Sequence, residues 1–112
     1  MTDKALLELA AKAAGIELLF EEMKDGSIYY YYKIPGDTQG WNPLNSDSDA
    51  LRLAVKLEID VNFNDVKKRV WAEPQYINEP PYPVHEGYGD DPYAATRRAV
   101  VRAAAEIGRG ME

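Results

Sequence analysis

The sequence contains a single histidine, His85, next to Glu86 in a proline-rich stretch. An imidazole beside a carboxylate can pass a proton near neutral pH, but one imidazole cannot build a multi-histidine metal centre. The expected role is a surface histidine without catalytic duty. Carboxylates stand in pairs at Glu21-Glu22 and Asp90-Asp91. Successive strand residues point to opposite faces, so Glu21 and Glu22 cannot act on one substrate. Asp91 is better used as a helix cap, and neither pair suggests an acid and a base held at separated pKa values. Asp60, Asn62 and Asn64 match the first, third and fifth places of a calcium loop. Asp65 stands where that loop needs glycine and Trp71 where it needs a bidentate glutamate, so the site fails. With no cysteine there is no disulfide, thiolate nucleophile or cysteine-ligated zinc. Glycine-rich phosphate loops and the Gly-x-Ser-x-Gly elbow are missing too. No catalytic residue, cofactor or metal is expected, and the residues argue against an enzyme.

What the chain has in quantity is aromatic and proline surface. "GSIYYYYKIPG" (26–36) sets Tyr29, Tyr30, Tyr31 and Tyr32 in a row, so a strand there carries two rings on each face. Two readings stand: burial on both faces beneath helices, with hydroxyls at a wet rim, or one open face forming a binding surface. Lys33 and Pro35 after the run oppose amyloid-like pairing. The candidate partner-binding residues are Trp41, Asn42 and Pro43 in one loop, and Tyr76, Tyr82, His85 and Tyr88 in the Pro/Tyr-rich loop 73–92. The competing structural reading makes Trp41 a core plug and the second loop a wrap over the sheet.

The elements that would position these residues follow from pattern. Leu6, Leu9, Ala10 and Ala13 recur at helical spacing over 3–14, with Thr2 or Asp3 as cap and Gly15 as stop. "IELLFEEMK" and "SIYYYYKI" flank Asp25-Gly26, which predicts strands over 16–24 and 27–34 joined by a two-residue turn. A loop is predicted over 35–49, then a helix capped by Ser46 or Ser48 and running to about Leu57. Asp49, three residues after Ser46, suggests an acidic variant of the capping box. Ala50, Leu53, Ala54 and Leu57 form its stripe, with Leu51 and Val55 alongside, so the helix is expected to be covered over much of its circumference. "EIDVNF" alternates as a strand, Asn64-Asp65 suggests a turn, and "VKKRVWA" reads as an edge strand because Lys68 shares a face with Val66 and Val70. Residues 73–92 hold five of the seven prolines and are expected to lack regular structure. Asp91 then caps a helix with Pro92 at its first position, ending at Gly108, with Thr96, Val100, Ala103, Ala104 and Ile107 as its stripe.

The resulting fold class is α+β in the order α-β-β-α-β-β-α, with a mainly antiparallel four-stranded sheet packed with helices. At 112 residues the chain reads as one domain, 1–112, and its 29% charged and 46% hydrophobic residues are a globular mix. No apolar run is long enough for a signal peptide or a membrane span, so a cytoplasmic protein that avoids membranes is expected. A net charge of −6 disfavours nucleic acid, although Lys67–Arg69 and Arg97–Arg102 are locally basic. The interval between them has five acidic residues and no lysine or arginine, which reads as a solvated acidic loop or as a surface for a basic partner.

Two segments, "WNPLNSDSDALRLAVKL" (41–57) and "DPYAATRRAVVRAAAEIG" (91–108), resemble small proteins encoded by tailed bacteriophages and prophages. The nearest named group is the phage α-β-α ("ABA") sandwich domain. Matching positions are Trp41, Asn42, Pro43, Asp49 and Leu53, then Asp91, Pro92, Thr96, Arg97 and Arg98. The resemblance implies a three-layer α/β/α sandwich and a bacterial host cell, and it carries no activity. The tyrosine run and the Pro/Tyr-rich loop depart from it. The combined expectation is a non-enzymatic phage or prophage accessory protein that binds a protein partner or forms a homodimer. The alternative is a small metal-dependent enzyme or a nucleotide- or ligand-binding protein using Asp and Glu groups.

Overall fold

A computed structural model of the chain describes residues 1–75 and 83–111. The elements run α1 (Asp3–Ala14), β1 (Leu19–Glu22), β2 (Ile28–Ile34), β3 (Asp37–Gly40), α2 (Asp47–Leu57), β4 (Ile59–Asn64), β5 (Arg69–Pro74), β6 (Val84–Gly87) and α3 (Pro92–Arg109). The class is α+β, but two three-stranded antiparallel sheets, β1-β2-β3 and β4-β5-β6, stand in place of the single four-stranded sheet. The three-layer arrangement presupposed that single sheet.

The extra strands come from segments read as loops. Pro35 and Gly36 (φ 77°) make a tight turn between the paired residues Ile34 and Asp37, and β3 returns along β2. Proline at the second turn position and a positive-φ glycine at the third are the type II signature. In the proline-rich stretch, the four residues Val84–Gly87 contain no proline, pair with β5 and bury Val84. With partners on both sides, β5 is a central strand rather than an edge. Lys68 is not on it. It sits in the turn 65–68 at φ 52°, where the Asn64 side chain accepts from the N–H groups of Val66 and Lys67.

The first hairpin also differs from expectation. The Gly26 N–H donates to Met23 O and the Met23 N–H to Ser27 O, a three-residue loop in which Gly26 alone has positive φ (88°). Asp25 keeps an ordinary backbone because its carboxylate accepts from the N–H and hydroxyl of Ser27 at 2.9 and 2.6 Å. That local bond favours a turn with one glycine over a turn that needs two left-handed residues.

The three helices begin where capping chemistry predicts. Thr2 accepts from Ala5 N–H, Ser46 from Asp49 N–H, and Asp91 from Tyr93 and Ala94 N–H. α1 ends at Gly15, which is left-handed at φ 72°. α3 is the hub and packs on α1, on α2 and on the β4–β6 sheet. Its buried residues are small (Ala95, Ala99, Ala103, Ala104, Ala105), with Val100 and Val101 among them, so the covered face is broader than the expected stripe. Gly108 does not stop this helix. A Cβ there would lie 2.0 Å from the Leu9 carbonyl oxygen, so glycine is what lets α1 and α3 cross backbone to backbone. α2 buries Ala50, Leu53 and Ala54, whereas Leu51 and Val55 are exposed, so it is covered on one side only.

Candidate functional site

The Trp41-Asn42-Pro43 corner is structural first. Trp41 is 7% exposed, and its N–H donates to Tyr30 O at 3.0 Å, which ties the corner to β2. Pro43 is fully buried. The Asn42 N–H donates to Asp49 Oδ2 at 2.9 Å, and Asn42 Oδ1 accepts from Leu44 N–H at 3.1 Å. Asp49 is thereby used on the incoming chain and does not close the expected capping box. His85 is exposed on the outer face of the β4–β6 sheet, directly across from Trp71, with ring centroids 5.8 Å apart. Tyr88 is half-buried; its N–H donates to Lys68 O at 2.8 Å and its carbonyl accepts from Asp91. Tyr76 and Tyr82 lie outside the described residues. The corner at 41–43 serves the entry to α2, and His85 and Tyr88 serve β6 and the entry to α3.

The charged groups singled out by sequence are largely occupied. Arg97 meets Asp47 at 2.6 Å and the Leu44 carbonyl at 2.8 Å, Arg98 meets Asp3 at 3.2 Å, and Arg102 pairs with Glu86. The basic run of α3 thus joins elements instead of presenting a phosphate-binding stripe. Asp60 accepts from Gln75, and Asn64 orders its own turn. Among the described residues no cluster of three or more His, Asp or Glu could hold a metal ion, and no helix is long and apolar enough to cross a membrane.

Two surfaces of the described residues stand out. The first is the outer face of the β1–β3 sheet. On β2 the side chains alternate: Tyr30 is 8% exposed toward α1, and Tyr32 is half-buried on the same face. Burial raises the Tyr30 hydroxyl pKa, helped by nearby Asp3 and Glu8. On the opposite face Tyr29 and Tyr31 stack, with centroids 5.5 Å apart and 15° between planes, and Tyr29 is 43% exposed. Burial beneath helices on both faces is therefore not what the tyrosine run achieves; one face is covered and the other open. Gly40 makes room for this stack, since a Cβ there would come 3.0 Å from the Tyr29 hydroxyl. Phe20, Ile28 and Ile34 are exposed as well but lie on the Tyr30 face, with Phe20 directly across from Tyr30 and Lys4 of α1 3.8 Å over the Phe20 ring.

The second surface is a cleft of about 700 Å³ between the end of α1, the β2–β3 hairpin and α2. Arg52 and Lys56, one helical turn apart, line it from α2, and Trp41 and Leu53 form apolar wall. Sequence reading passed over Arg52 and Lys56. Their four-residue spacing on a predicted helix was the signal, but nothing local showed that a cleft faces them. Comparison of the chain with known protein families, with curated proteins and with solved structures finds no match.

Proposed function

We propose that this chain is a non-enzymatic protein-binding module whose partner is a second copy of itself, docked through the outer face of the β1–β3 sheet. The observation that carries this reading is the Tyr29–Tyr31 stack, with Tyr29 exposed and Tyr31 half-buried, on a sheet face that no helix of the described residues covers. Tyrosine buries a large area for little rotamer entropy and satisfies its hydroxyl at a wet rim, which suits an interface core. Charge favours a like partner. Glu21, paired across from Tyr29, and Lys33, four residues along β2, share that face at opposite ends of the stack. A two-fold axis near Tyr31 sets Glu21 of each copy against the partner's Lys33.

Sedimentation or light scattering tests this directly. The wild type is expected to run as a dimer, and Tyr29→Ser with Tyr31→Ser as a folded monomer that loses no more than about 1 kcal/mol, because Tyr29 is exposed and Tyr31 only half-buried. Glu21→Lys weakens association, and Lys33→Glu in the same chain restores it. A wild type that stays monomeric at NMR concentrations removes the proposal. The phage or prophage setting, and with it a bacterial cytoplasm, rests on residues 41–57 and 91–108 alone. Neighbouring genes test it: phage structural or lysis genes support the setting, and a housekeeping operon ends it.

A further inference from the structure

We infer that the cleft between α2 and the β2–β3 hairpin binds a small organic anion, a carboxylate or phosphate carried on an apolar body. Its volume of about 700 Å³ falls within the roughly 300–1,000 Å³ usual for small-molecule sites. Arg52 and Lys56 make no side-chain ion pair or hydrogen bond with any of the described residues, unlike Arg97, Arg98 and Arg102. Two unpaired cations one turn apart on a protein of net charge −6 are a local reversal of sign. Of the two lining carboxylates, Asp49 is held by the Asn42 N–H, and Glu17 is exposed on the segment after α1.

The rest of the lining fits the same ligand class. Tyr32 and Gln39 are direct cross-strand partners, so their side chains share one face of the hairpin. The Tyr32 hydroxyl has no partner among the described residues. Trp41 and Leu53 offer apolar wall to the body of the ligand. An arginine fork takes carboxylate or phosphate in a bidentate manner, and the lysine adds a point charge. Tyr32 and Gln39 lie on the face opposite to Tyr29 and Tyr31, although Lys33 of the docking face also lines the cleft.

The test is an NMR titration of the full chain with phenyl phosphate, phenylacetate, inorganic phosphate and benzyl alcohol. Saturable shifts are expected at the Trp41 indole, the Gln39 amide and Leu53 with one or both aryl anions, and the stronger of these two names the acid group. Inorganic phosphate and benzyl alcohol are each expected to bind at least about tenfold more weakly. Arg52→Gln with Lys56→Gln is expected to weaken the aryl anion at least about tenfold while leaving the fold intact, since both side chains are exposed and unpaired. If that variant loses structure, Lys56→Gln with Tyr32→Phe supplies the same comparison. No saturable shift at Trp41 and Leu53, an unchanged affinity in the folded variant, or equal binding of inorganic phosphate overturns the site. Repeating the titration on Tyr29→Ser/Tyr31→Ser separates this outcome from that of the dimer.

Discussion

Asp25 holds the first hairpin turn by accepting two hydrogen bonds from Ser27, and these bonds lower its pKa below the ordinary value near 3.8. A depressed carboxylate pKa stabilises the fold above the unfolded value and loses that contribution as pH falls through the folded one. Acidification below about pH 4 should therefore loosen this turn, and Asp25→Ala should remove that part of the acid dependence, read by amide exchange at Met23 and Ser27. Tyr30 has the opposite sign: its raised pKa keeps the neutral ring favoured in the fold. Its contribution is present below pH 10.0 and is lost as pH rises through the folded value. In an ultraviolet alkaline titration Tyr30→Phe should remove a phenol that ionises above the ordinary value. Trp41 belongs with the core, and Trp41→Ala should cost about 3–5 kcal/mol in urea denaturation.

Helix packing turns on positions that no single helix explains. Gly108→Ala places a methyl group against the Leu9 carbonyl, which is backbone and cannot swing aside. The helices must separate, and the expected loss is about 3 kcal/mol or more, measured by chemical denaturation. On α2 the two sides should respond differently. Leu53→Ala, in the core, should cost about 2–5 kcal/mol, whereas Leu51→Gln and Val55→Lys, on the exposed side, should each stay within roughly 0.5 kcal/mol. Equal losses on both sides would mean that α2 is covered in solution.

Across the molecule, helix packing is concentrated on one sheet. α3 lies against β4, β5 and β6, whereas the β1–β3 sheet is joined to the core chiefly through Tyr30, Tyr32 and Trp41. The radius of gyration of 14.2 Å slightly exceeds the roughly 13 Å typical of a compact chain of about 100 residues, in keeping with a peripheral sheet. Amide exchange should show β2 opening at a lower free energy than β5, where Val70 and Ala72 are fully buried. Self-association through Tyr29 and Tyr31 would narrow that gap as protein concentration rises.

Local chemistry made much of this molecule readable without coordinates. The caps Thr2, Ser46 and Asp91 act on N–H groups two or three residues away, Gly15 ends its helix by its own backbone freedom, and β4 forms where the sequence alternates, although Phe63 near its end is exposed. The structure decided whatever depended on a distant partner. β3 and β6 are four residues long, too short for a pattern of their own, and exist through pairing with β2 and β5. Lys68 left the strand because the Asn64 side chain organised a longer turn. Trp41 became core, and the tyrosine run acquired one covered and one open face, because α1 and α2 approach from particular sides. The cleft at Arg52 and Lys56 arises the same way, since the alternation of a strand or the turn of a helix sets which residues share a face, and only packing sets what that face meets.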